Sequence, residues 1–373
     1  MNVFQILMNM NYKGFLTLSL IFLLADTYCQ SEEYSQTVRR SFLASDNVTV
    51  SVSNKYGTVS LATWDKDSVA ITIDLIIKAK DSQKLEKLKN SIDFDFSSGQ
   101  YFITANTVIG DGGNDIIKDI VDIAGNYFSS SNSVTINYNL MLPENLPVKI
   151  ENRFGDVYAG DFSSNLRVDM SYGDFKANNL NGGCEISLAS GDAEINYINE
   201  GQLSVSYSNL RIKRADKLYL ETRSSNDNIE EVNEIKIDSR RDKIFLGESS
   251  IVTGDGYFTD FNITQAQNTV NLKLRYGSIS IENILKDFSL VNLSSDYADM
   301  DLGFSGPLNF QFDLTQSPDV TFVYPKSYAS LESEVVNEEE GILNFAGSFG
   351  QGSEASRVII IASRKCELII SYK

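Results

Sequence analysis

Apolar and polar residues alternate along most of the chain, and tight polar turns interrupt the alternation at regular intervals. Clear examples of the strand pattern are Leu166/Val168/Met170 and Ile186/Leu188. Alternation with a period of two places one side of a β-strand in a core and the other side in solvent. The pattern predicts a repeating unit of strand, turn, strand and connection. Its turns include Phe154-Gly155-Asp156, Tyr172-Gly173-Asp174, Ser190-Gly191-Asp192, Ser208-Asn209 and Tyr276-Gly277-Ser278.

The first apolar residue after each turn defines a file that recurs nine times. Its successive spacings are 18, 18, 17, 19, 15, 17, 18 and 19 residues. A second file, two residues later, is apolar in eight of nine units, and Glu231 is the exception. Self-similarity of this length is typical of stacked repeats. The members of the first file are Val157, Phe175, Ala193, Leu210, Ile229, Ile244, Phe261, Ile279 and Ala298.

Two β architectures fit this period. In a parallel β-solenoid each unit is one coil, and equivalent residues of successive coils lie about 4.8 Å apart. In an antiparallel meander each unit is a hairpin, and successive turns lie two strands apart. Matching turn residues gain nothing in a meander, whereas in a solenoid Phe154 would lie over Tyr172. We therefore predict an all-β, single-chain parallel β-solenoid with an α/β N-terminal cap and a β C-terminal cap.

The flanking segments depart from the repeat and predict these caps. Asp81-Ser82 is suited to begin a short helix that ends near Asn90, and residues 116–128 have a second helical pattern. The continuous apolar runs in residues 357–371 predict strands that are buried on both sides. The predicted organisation is a signal peptide over residues 1–29, a first coil and helix-containing cap over 30–147, solenoid repeats over 148–306, and C-terminal coils and cap over 307–373.

Turn chemistry predicts roles for the glycines and aspartates. A tight corner commonly requires a positive φ, which glycine adopts without strain and which Asn and Asp tolerate. We expect the turn glycines to adopt it, and Asn209, Asp227 and Asp242 to replace glycine in later turns. Gly254-Asp255-Gly256 stands in place of a strand, which predicts a bulge or a loop insertion. We expect a column of carboxylates, held by hydrogen bonds from turn N–H groups, at Asp156, Asp174 and Asp192.

The N-terminus has the pattern of a cleaved secretory signal peptide. Lys13 precedes the apolar run Phe15–Ala25, and small residues precede a cleavage point after Cys29. A membrane anchor would need a longer run of about 20 apolar residues, and a lipoprotein would use Cys29 as its lipidated residue. We predict an exported chain that is periplasmic, outer-surface or secreted, with no transmembrane segment after cleavage. Cys184 and Cys366 would then be buried thiols or a disulfide pair.

Composition excludes several classes of function. The 373 residues contain 50 Asp or Glu and 32 Lys or Arg, for a formal net charge of −18, and they contain no histidine. Without histidine there is no Ser-His-Asp machinery and no His-ligated zinc. A chain this acidic repels phosphate backbones, so we expect no nucleic-acid partner.

Several short motifs together resemble the bacterial adhesin-like β-solenoid family. These are the turn Lys55-Tyr56-Gly57, the Leu-Pro pairs at 142–143 and 146–147, and the coils Asn152-Arg153-Phe154-Gly155-Asp156 and Ser171-Tyr172-Gly173-Asp174. The resemblance extends from about Asp46 to Ser371. It implies a secreted or envelope-associated solenoid, and it supplies no catalytic residues.

The leading functional hypothesis is a non-catalytic, exported solenoid that binds an extracellular or envelope glycan or protein through an extended polar surface. A carbohydrate-active enzyme that uses the aspartate column and an envelope structural or stress-sensing component are the alternatives. We predict no cofactor and no metal; Asp111-Gly112-Gly113-Asn114-Asp115 is a single loop without the repeat of a calcium β-roll. The candidate partner-binding residues are Phe154, Asp156, Tyr172, Asp174, Asp192, Tyr207 and Tyr276, whose aromatic members could form a sugar-stacking strip.

Overall fold

The computed structural model describes residues 32–110, 132–306, 309–350 and 356–372. Within these ranges the chain is almost entirely β-strand, with a single α-helix, α1, at Ser82–Lys89 and a 3-10 turn at Lys326–Tyr328. The predicted signal peptide, the loop Asp111–Asp115 and the predicted helix over residues 116–128 lie outside the described residues.

The strands of the N-terminal part are β1 Glu32–Leu43, β2 Thr49–Lys55, β3 Val59–Thr63, β4 Ser68–Ala79, β5 Ile92–Ser98, β6 Phe102–Ile109, β7 Ser133–Leu142, β8 Val148–Arg153, β9 Val157–Ala159, β10 Leu166–Ser171 and β11 Phe175–Ala189. The remaining strands are β12 Asp192–Ser206, β13 Asn209–Arg223, β14 Asn226–Arg240, β15 Lys243–Ile284, β16 Leu290–Phe304, β17 Phe310–Gln316, β18 Thr321–Val323, β19 Ala329–Asn337, β20 Ile342–Phe349, β21 Arg357–Ala362 and β22 Glu367–Tyr372.

Contacts divide the chain into two compact units. The smaller unit contains the described residues 32–37, 74–94, 108–110 and 132–135, and the larger contains the rest. In the smaller unit, helix α1 begins as predicted, because Asp81 Oδ1 accepts a hydrogen bond from Lys84 N–H at 2.8 Å and caps the first turn. Leu85 and Leu88 are buried on one face of α1.

The larger unit is a parallel β-solenoid. Val157 pairs in parallel with Phe175, Phe175 with Ala193, and Ala193 with Leu210. All four side chains are buried in one interior file. In-register parallel pairing of successive units confirms the predicted stack of coils and excludes the antiparallel meander.

The predicted register is wrong at two points of the repeat. Leu210 pairs with Asp227 rather than Ile229, and Ile279 pairs with Met300 rather than Ala298. Ile229 pairs with Ile212 and therefore belongs to the second file. The second file is thus apolar in this coil, because Ile229 and not Glu231 occupies it. The first-file position of this coil is occupied by the buried Asp227, and the first apolar residue after the turn, Ile229, lies two positions later.

Gly254-Asp255-Gly256 continues a strand, so the predicted bulge is wrong. These three residues pair in register with Ile237, Asp238 and Ser239. A Cβ on Gly254 would lie 2.0 Å from the carbonyl oxygen of Ile237. A Cβ on Gly256 would meet the Phe261 ring at 2.7 Å, so the missing side chain leaves room for a large neighbour in the core.

Both ends of the solenoid contain coils that are out of sequence order. Strands β2 and β3 form the predicted first coil, which stacks on β8 and β9 across a long insertion. The described part of that insertion returns β6 and β7 to the other side of the same coil. At the C-terminal end, β21 lies between β16 and β17, and β22 lies between β16 and β18. The final strands therefore complete an internal coil.

The outer face of this inserted coil differs from the prediction. Val358 and Ile360 are buried, but Ile361 is 47% exposed. Strand β21 is hydrogen-bonded to a neighbouring strand along each of its two edges, but only one of its faces is covered by the core. The prediction that both faces of this strand are buried is therefore wrong. Beyond it, β17 pairs antiparallel with β20, and β20 pairs with β19.

Candidate functional site

One corner of the solenoid is built from residues in the left-handed backbone conformation. Among the described residues, ten that are not glycine have φ between 53° and 64°. This conformation is unfavourable for residues with a Cβ, by about 1–2 kcal/mol each, so its repetition marks a constrained column. We call it the corner column: Tyr56, Phe154, Tyr172, Ser190, Tyr207, Ser224, Arg241, Phe258, Tyr276 and Tyr297. From Phe154 onward the spacings are 18, 18, 17, 17, 17, 17, 18 and 21 residues.

Three of the turn glycines that follow the corner column have a different role from the predicted one, whereas Gly277 adopts the expected positive φ, at 111°. Gly155, Gly173 and Gly191 are not among the residues with positive φ. A Cβ on Gly173 would lie 2.2 Å from the carbonyl oxygen of Gly155, and a Cβ on Gly191 would lie 2.0 Å from that of Gly173. These corners require glycine because the backbones of neighbouring coils approach closely.

The four corners after Gly191 replace glycine with buried polar side chains. The residues that follow the corner column there are Ser208, Ser225, Asp242 and Thr259. Their side chains connect the coils: Ser225 N–H donates to Asp242 Oδ1 at 2.7 Å, and Gly191 N–H donates to Ser208 Oγ at 3.2 Å. Of the predicted glycine replacements, only Asp242 occupies the glycine position; Asn209 and Asp227 lie one and two residues further on.

Two aspartates are enclosed at these polar corners. The side chain of Asp227 is fully buried, and burial, reinforced by the nearby Asp242 carboxylate, raises its pKa to about 7. Thr222 Oγ1 donates to Asp227 Oδ2 at 2.7 Å, but Asp227 Oδ1 has no hydrogen-bond partner among the described residues. Burial also raises the pKa of Asp242, against hydrogen bonds from Ser239 and two backbone N–H groups. Asp227 has no exposed surface, and Asp242 is 3% exposed.

Aromatic rings of the corner column form two stacks of three. In the first, Phe154 lies between Tyr56 and Tyr172, with ring centroids 5.5 and 5.1 Å apart and planes within 8°. In the second, Tyr276 lies between Phe258 and Tyr297, at 4.6 and 5.3 Å. The guanidinium of Arg364 lies over the outer ring of the second stack, 5.5 Å from its centroid.

Tyr207 differs from the stacked rings. Its side chain is 66% exposed, and among the described residues it makes no ring–ring or cation–π contact. Ser190 and Ser224 occupy the adjacent places in the corner column, so no side-chain ring covers either of its faces. Tyr172 is 60% exposed, because only its face toward Phe154 is covered.

The four aromatic residues predicted as a sugar-stacking strip, Phe154, Tyr172, Tyr207 and Tyr276, all lie in the corner column. Sequence reasoning missed Tyr56, Phe258 and Tyr297 as members. The first was recognisable from its Tyr-Gly turn, and Phe258 was obscured by the glycines before it. Arg364 comes from a distant segment, and no local signal marked it.

The predicted carboxylate column lies two residues after the corner column. Asp174 N–H donates to Asp156 Oδ1, and Asp192 N–H donates to Asp174 Oδ1, each at 2.9 Å. Asn209 Nδ2 continues the ladder by donating to Asp192 Oδ1 at 2.8 Å. Asp156 and Asp174 are thus held by turn N–H groups of the next coil, as expected, whereas Asp192 is held by a side-chain amide. The second oxygen of Asp156 accepts a hydrogen bond from the Tyr158 hydroxyl at 3.1 Å.

Next to the carboxylate column, a shallow groove of about 750 Å³ crosses successive coils. Its outward-facing residues include Tyr158, Lys176, Arg211 and Asn228, one from each of four coils. Lys176 Nζ lies 3.6 Å from a Glu194 carboxylate oxygen. Sequence reasoning missed this groove, since outward positions of a regular strand carry no motif.

The other candidate chemistry is confined to the interior. Cys184 and Cys366 are free and buried, and burial raises the pKa of the Cys184 thiol to about 12, which makes it a packing residue. Within the described ranges, no cluster of three or more Cys, Asp or Glu side chains is arranged to hold a metal ion. The helix that the structure describes is too short and too polar to cross a bilayer.

Comparison with known proteins adds little to this picture. No family model and no curated protein matches the chain. A solved structure described as a putative cell adhesion protein, from Clostridium sporogenes, is similar at 10% identity over 92% of this chain and 100% of that chain, with a TM-score of 0.21. That score is too low to support an argument about fold or function.

Proposed function

We propose that this chain is an exported, non-catalytic binding protein of the adhesin-like kind, which engages an extended extracellular or envelope partner along one flank of its solenoid. The observation that carries the proposal is the corner column, where one residue per coil displays an aromatic ring, a serine or an arginine at regular spacing. Repetition at the coil interval suits a partner that is itself extended and repetitive.

The polar rows beside the corner column support the same proposal. Asp192 is exposed and Asp174 is half-buried, and each has a second oxygen with no hydrogen-bond partner among the described residues. The groove beyond them mixes amides with both signs of charge. Such a surface offers donors and acceptors to many hydroxyl or amide groups at once, and it needs no deep pocket. The favoured partner is therefore a polymer that lies across several coils.

A carbohydrate-active enzyme is the less favoured reading. A glycosidase needs a pair of carboxyl groups at the scissile bond, one of them a general acid with a raised pKa. The aspartates with raised pKa, Asp227 and Asp242, are buried at the interior side of the corner and out of reach of a polymer. The surface aspartates instead hold backbone N–H groups of the next coil.

Binding of the chain from residue 30 onward to immobilised envelope extract, neutral polysaccharides and acidic polysaccharides tests the proposal. We expect saturable binding at micromolar concentration to at least one surface, and a loss of about tenfold when Tyr172 and Tyr207 are both changed to Ala. Tyr101→Ala is the matched control, since Tyr101 is 62% exposed but lies outside the corner column. No binding at any surface would contradict the proposal.

Incubation with the same polysaccharides separates binding from catalysis. We expect no release of reducing or unsaturated sugars. Release that is abolished by Asp174→Asn or Asp192→Asn would replace the binding proposal with the enzymatic one.

A further inference from the structure

A ring-sized gap interrupts the corner column over Ser190. The rings of Tyr172 and Tyr207 belong to the coils on either side of it, and both are mostly exposed. The coil between them contributes only a serine side chain at the place where its neighbours contribute a ring. Two coil spacings put the flanking rings about 10 Å apart.

The dimensions of the gap select for a puckered ring. Carbon atoms make their best contacts at about 3.5–4.0 Å, so a flat ring between two aromatic faces needs roughly 7–8 Å. The gap exceeds that by about 2 Å, which a chair-shaped ring with axial hydrogens fills and a planar ring leaves empty. Aromatic faces contact the C–H face of a pyranose through dispersion and its weakly positive hydrogens.

The polar surroundings provide partners for hydroxyl groups on one side only. Asp174, Asp192 and Asn209 follow the corner column on the three coils that form the gap. Asp192 accepts the Asn209 amide with Oδ1, which leaves Oδ2 without a partner among the described residues. Carboxylates here repel an anionic sugar and accept hydrogen bonds from a neutral one.

The other side of the gap is open because small residues precede the corner column there. These residues are Ser171, Ala189 and Ser206. The corresponding residues around Ser224, on the far face of Tyr207, are Arg223 and Arg240. A ligand can therefore enter over Ser190 without displacing a long charged side chain.

We propose that the gap between Tyr172 and Tyr207 over Ser190 is a subsite for a neutral pyranose ring. The ring lies between the two aromatic faces, and its hydroxyl groups bind the free oxygens of Asp174 and Asp192. This inference rests on the proposed binding function, and it names the ligand class of the corner column.

Ser190→Tyr tests the subsite, because the corner column already accepts tyrosine in the same backbone conformation at its neighbours. The substituted ring would fill the gap and join the first stack to Tyr207. We expect this variant to be at least as stable to heat as the unmodified chain and to lose ligand binding. Loss of binding together with retained stability separates a blocked site from a misfolded protein.

The measurement is calorimetric titration of the chain from residue 30 onward with neutral β-linked hexasaccharides of glucose, mannose and N-acetylglucosamine. Oligogalacturonate serves as the anionic probe and adenosine as the planar one. We expect at least one neutral probe to bind, with a loss of tenfold or more in Ser190→Tyr and in Tyr207→Ala. The Tyr101→Ala control should bind as the unmodified chain does.

The outcomes separate this inference from the function on which it rests. If the chain binds envelope extract but Ser190→Tyr binds it equally well, the subsite is wrong and the binding function stands. If oligogalacturonate or adenosine binds more tightly than every neutral probe, the assigned ligand class is wrong. If neither extract nor any probe binds, the proposed function fails and the subsite fails with it.

Discussion

Eight of the ten corners in the corner column follow one of two constructions. At Gly57, Gly155, Gly173 and Gly191 the corner is compact, and the backbone of each coil lies against that of the next. At Ser208, Ser225 and Asp242 buried side chains accept hydrogen bonds from neighbouring coils, and at Thr259 the buried hydroxyl is hydrogen-bonded to that of Ser239. Both constructions place the corner column at the same φ.

The two constructions differ in how they respond to change. A glycine corner leaves no space for even one methyl group, but it contains no titratable group in its interior. A polar corner tolerates side chains, but it encloses Asp227 and Asp242, whose charge is unfavourable in a buried place. We therefore expect the first type to fail through crowding and the second through changes in pH or hydrogen bonding.

Gly173→Ala should have the largest effect. The new Cβ would lie 2.2 Å from the carbonyl oxygen of Gly155, and that oxygen cannot withdraw unless two coils separate. We expect the free energy of unfolding to fall by roughly 5 kcal/mol, beyond the ~1–3 kcal/mol of ordinary overpacking. Denaturant unfolding followed by circular dichroism measures it.

Gly160→Ala is the matched control for that substitution. Its added Cβ would be 3.7 Å from its nearest neighbour, the carbonyl oxygen of Leu61, which is ordinary contact. We expect a change within about 1 kcal/mol. Equal destabilisation by the two substitutions would show that coil-to-coil crowding does not define the glycine corners.

Asp227→Asn should remove a pH dependence from the polar corners. The folded pKa of about 7 lies above the ordinary value of 3.8, so the folded state binds more protons between these values. The free energy of unfolding therefore falls by a total of about 4 kcal/mol as pH rises from about 4 to 7. Above pH 7 it levels off. Asn does not titrate, so Asp227→Asn lacks this pH dependence. The free energy of unfolding of the variant should therefore rise relative to that of the unmodified chain between pH 4 and 7.

Unfolding at pH 4.5, 6 and 8 measures the difference between the two proteins, which cancels the contribution of other carboxyl groups. Parallel curves for Asp227→Asn and the unmodified chain would contradict the assignment of a neutral carboxyl group to this corner.

Ser225→Ala should have a smaller effect on the polar corners. Ser225 Oγ donates to the carbonyl oxygen of Arg223 at 3.1 Å and lies 3.4 Å from the Ser208 nitrogen, which donates to it. Loss of a buried hydroxyl with two partners should cost about 1–2 kcal/mol. Ser204→Ala, on the exposed side of the preceding coil, should change stability by less than about 0.5 kcal/mol. A neutral Ser225→Ala would show that the hydroxyl ladder is dispensable.

Much of the fold could be predicted because its cause is local. Alternating runs such as Leu166/Val168/Met170 specify which face of each strand is buried, and the turn motif specifies where each coil bends. The parallel stack follows from both. The register failed at Asp227, because a buried aspartate beside a turn has the same local pattern as a solvated turn residue.

Other features depend on contacts that sequence distance conceals. The pairing of Val59 with Val157 crosses an insertion, and β21 and β22 enter the stack between strands that precede them in the chain. The role of Gly155 depends on Gly57 in a neighbouring coil. In the candidate site, the four aromatic residues could be predicted from their turns. The gap over Ser190 could not, because it exists only when the coils of Tyr172 and Tyr207 are stacked on either side of Ser190.

The smallest expected effects are those of removing a ring from the corner column, where Tyr276 is stacked between other rings and Tyr207 is not. Tyr276 contacts rings on both faces, whereas Tyr207 contacts none among the described residues. Aromatic pairs contribute about 0.5–1.5 kcal/mol each, so Tyr276→Ala should lower the free energy of unfolding by about 1–2 kcal/mol. Tyr207→Ala should leave it within about 0.5 kcal/mol. If Tyr207→Ala destabilises as much as Tyr276→Ala, that ring supports the fold, and its exposure is no longer an argument for a ligand.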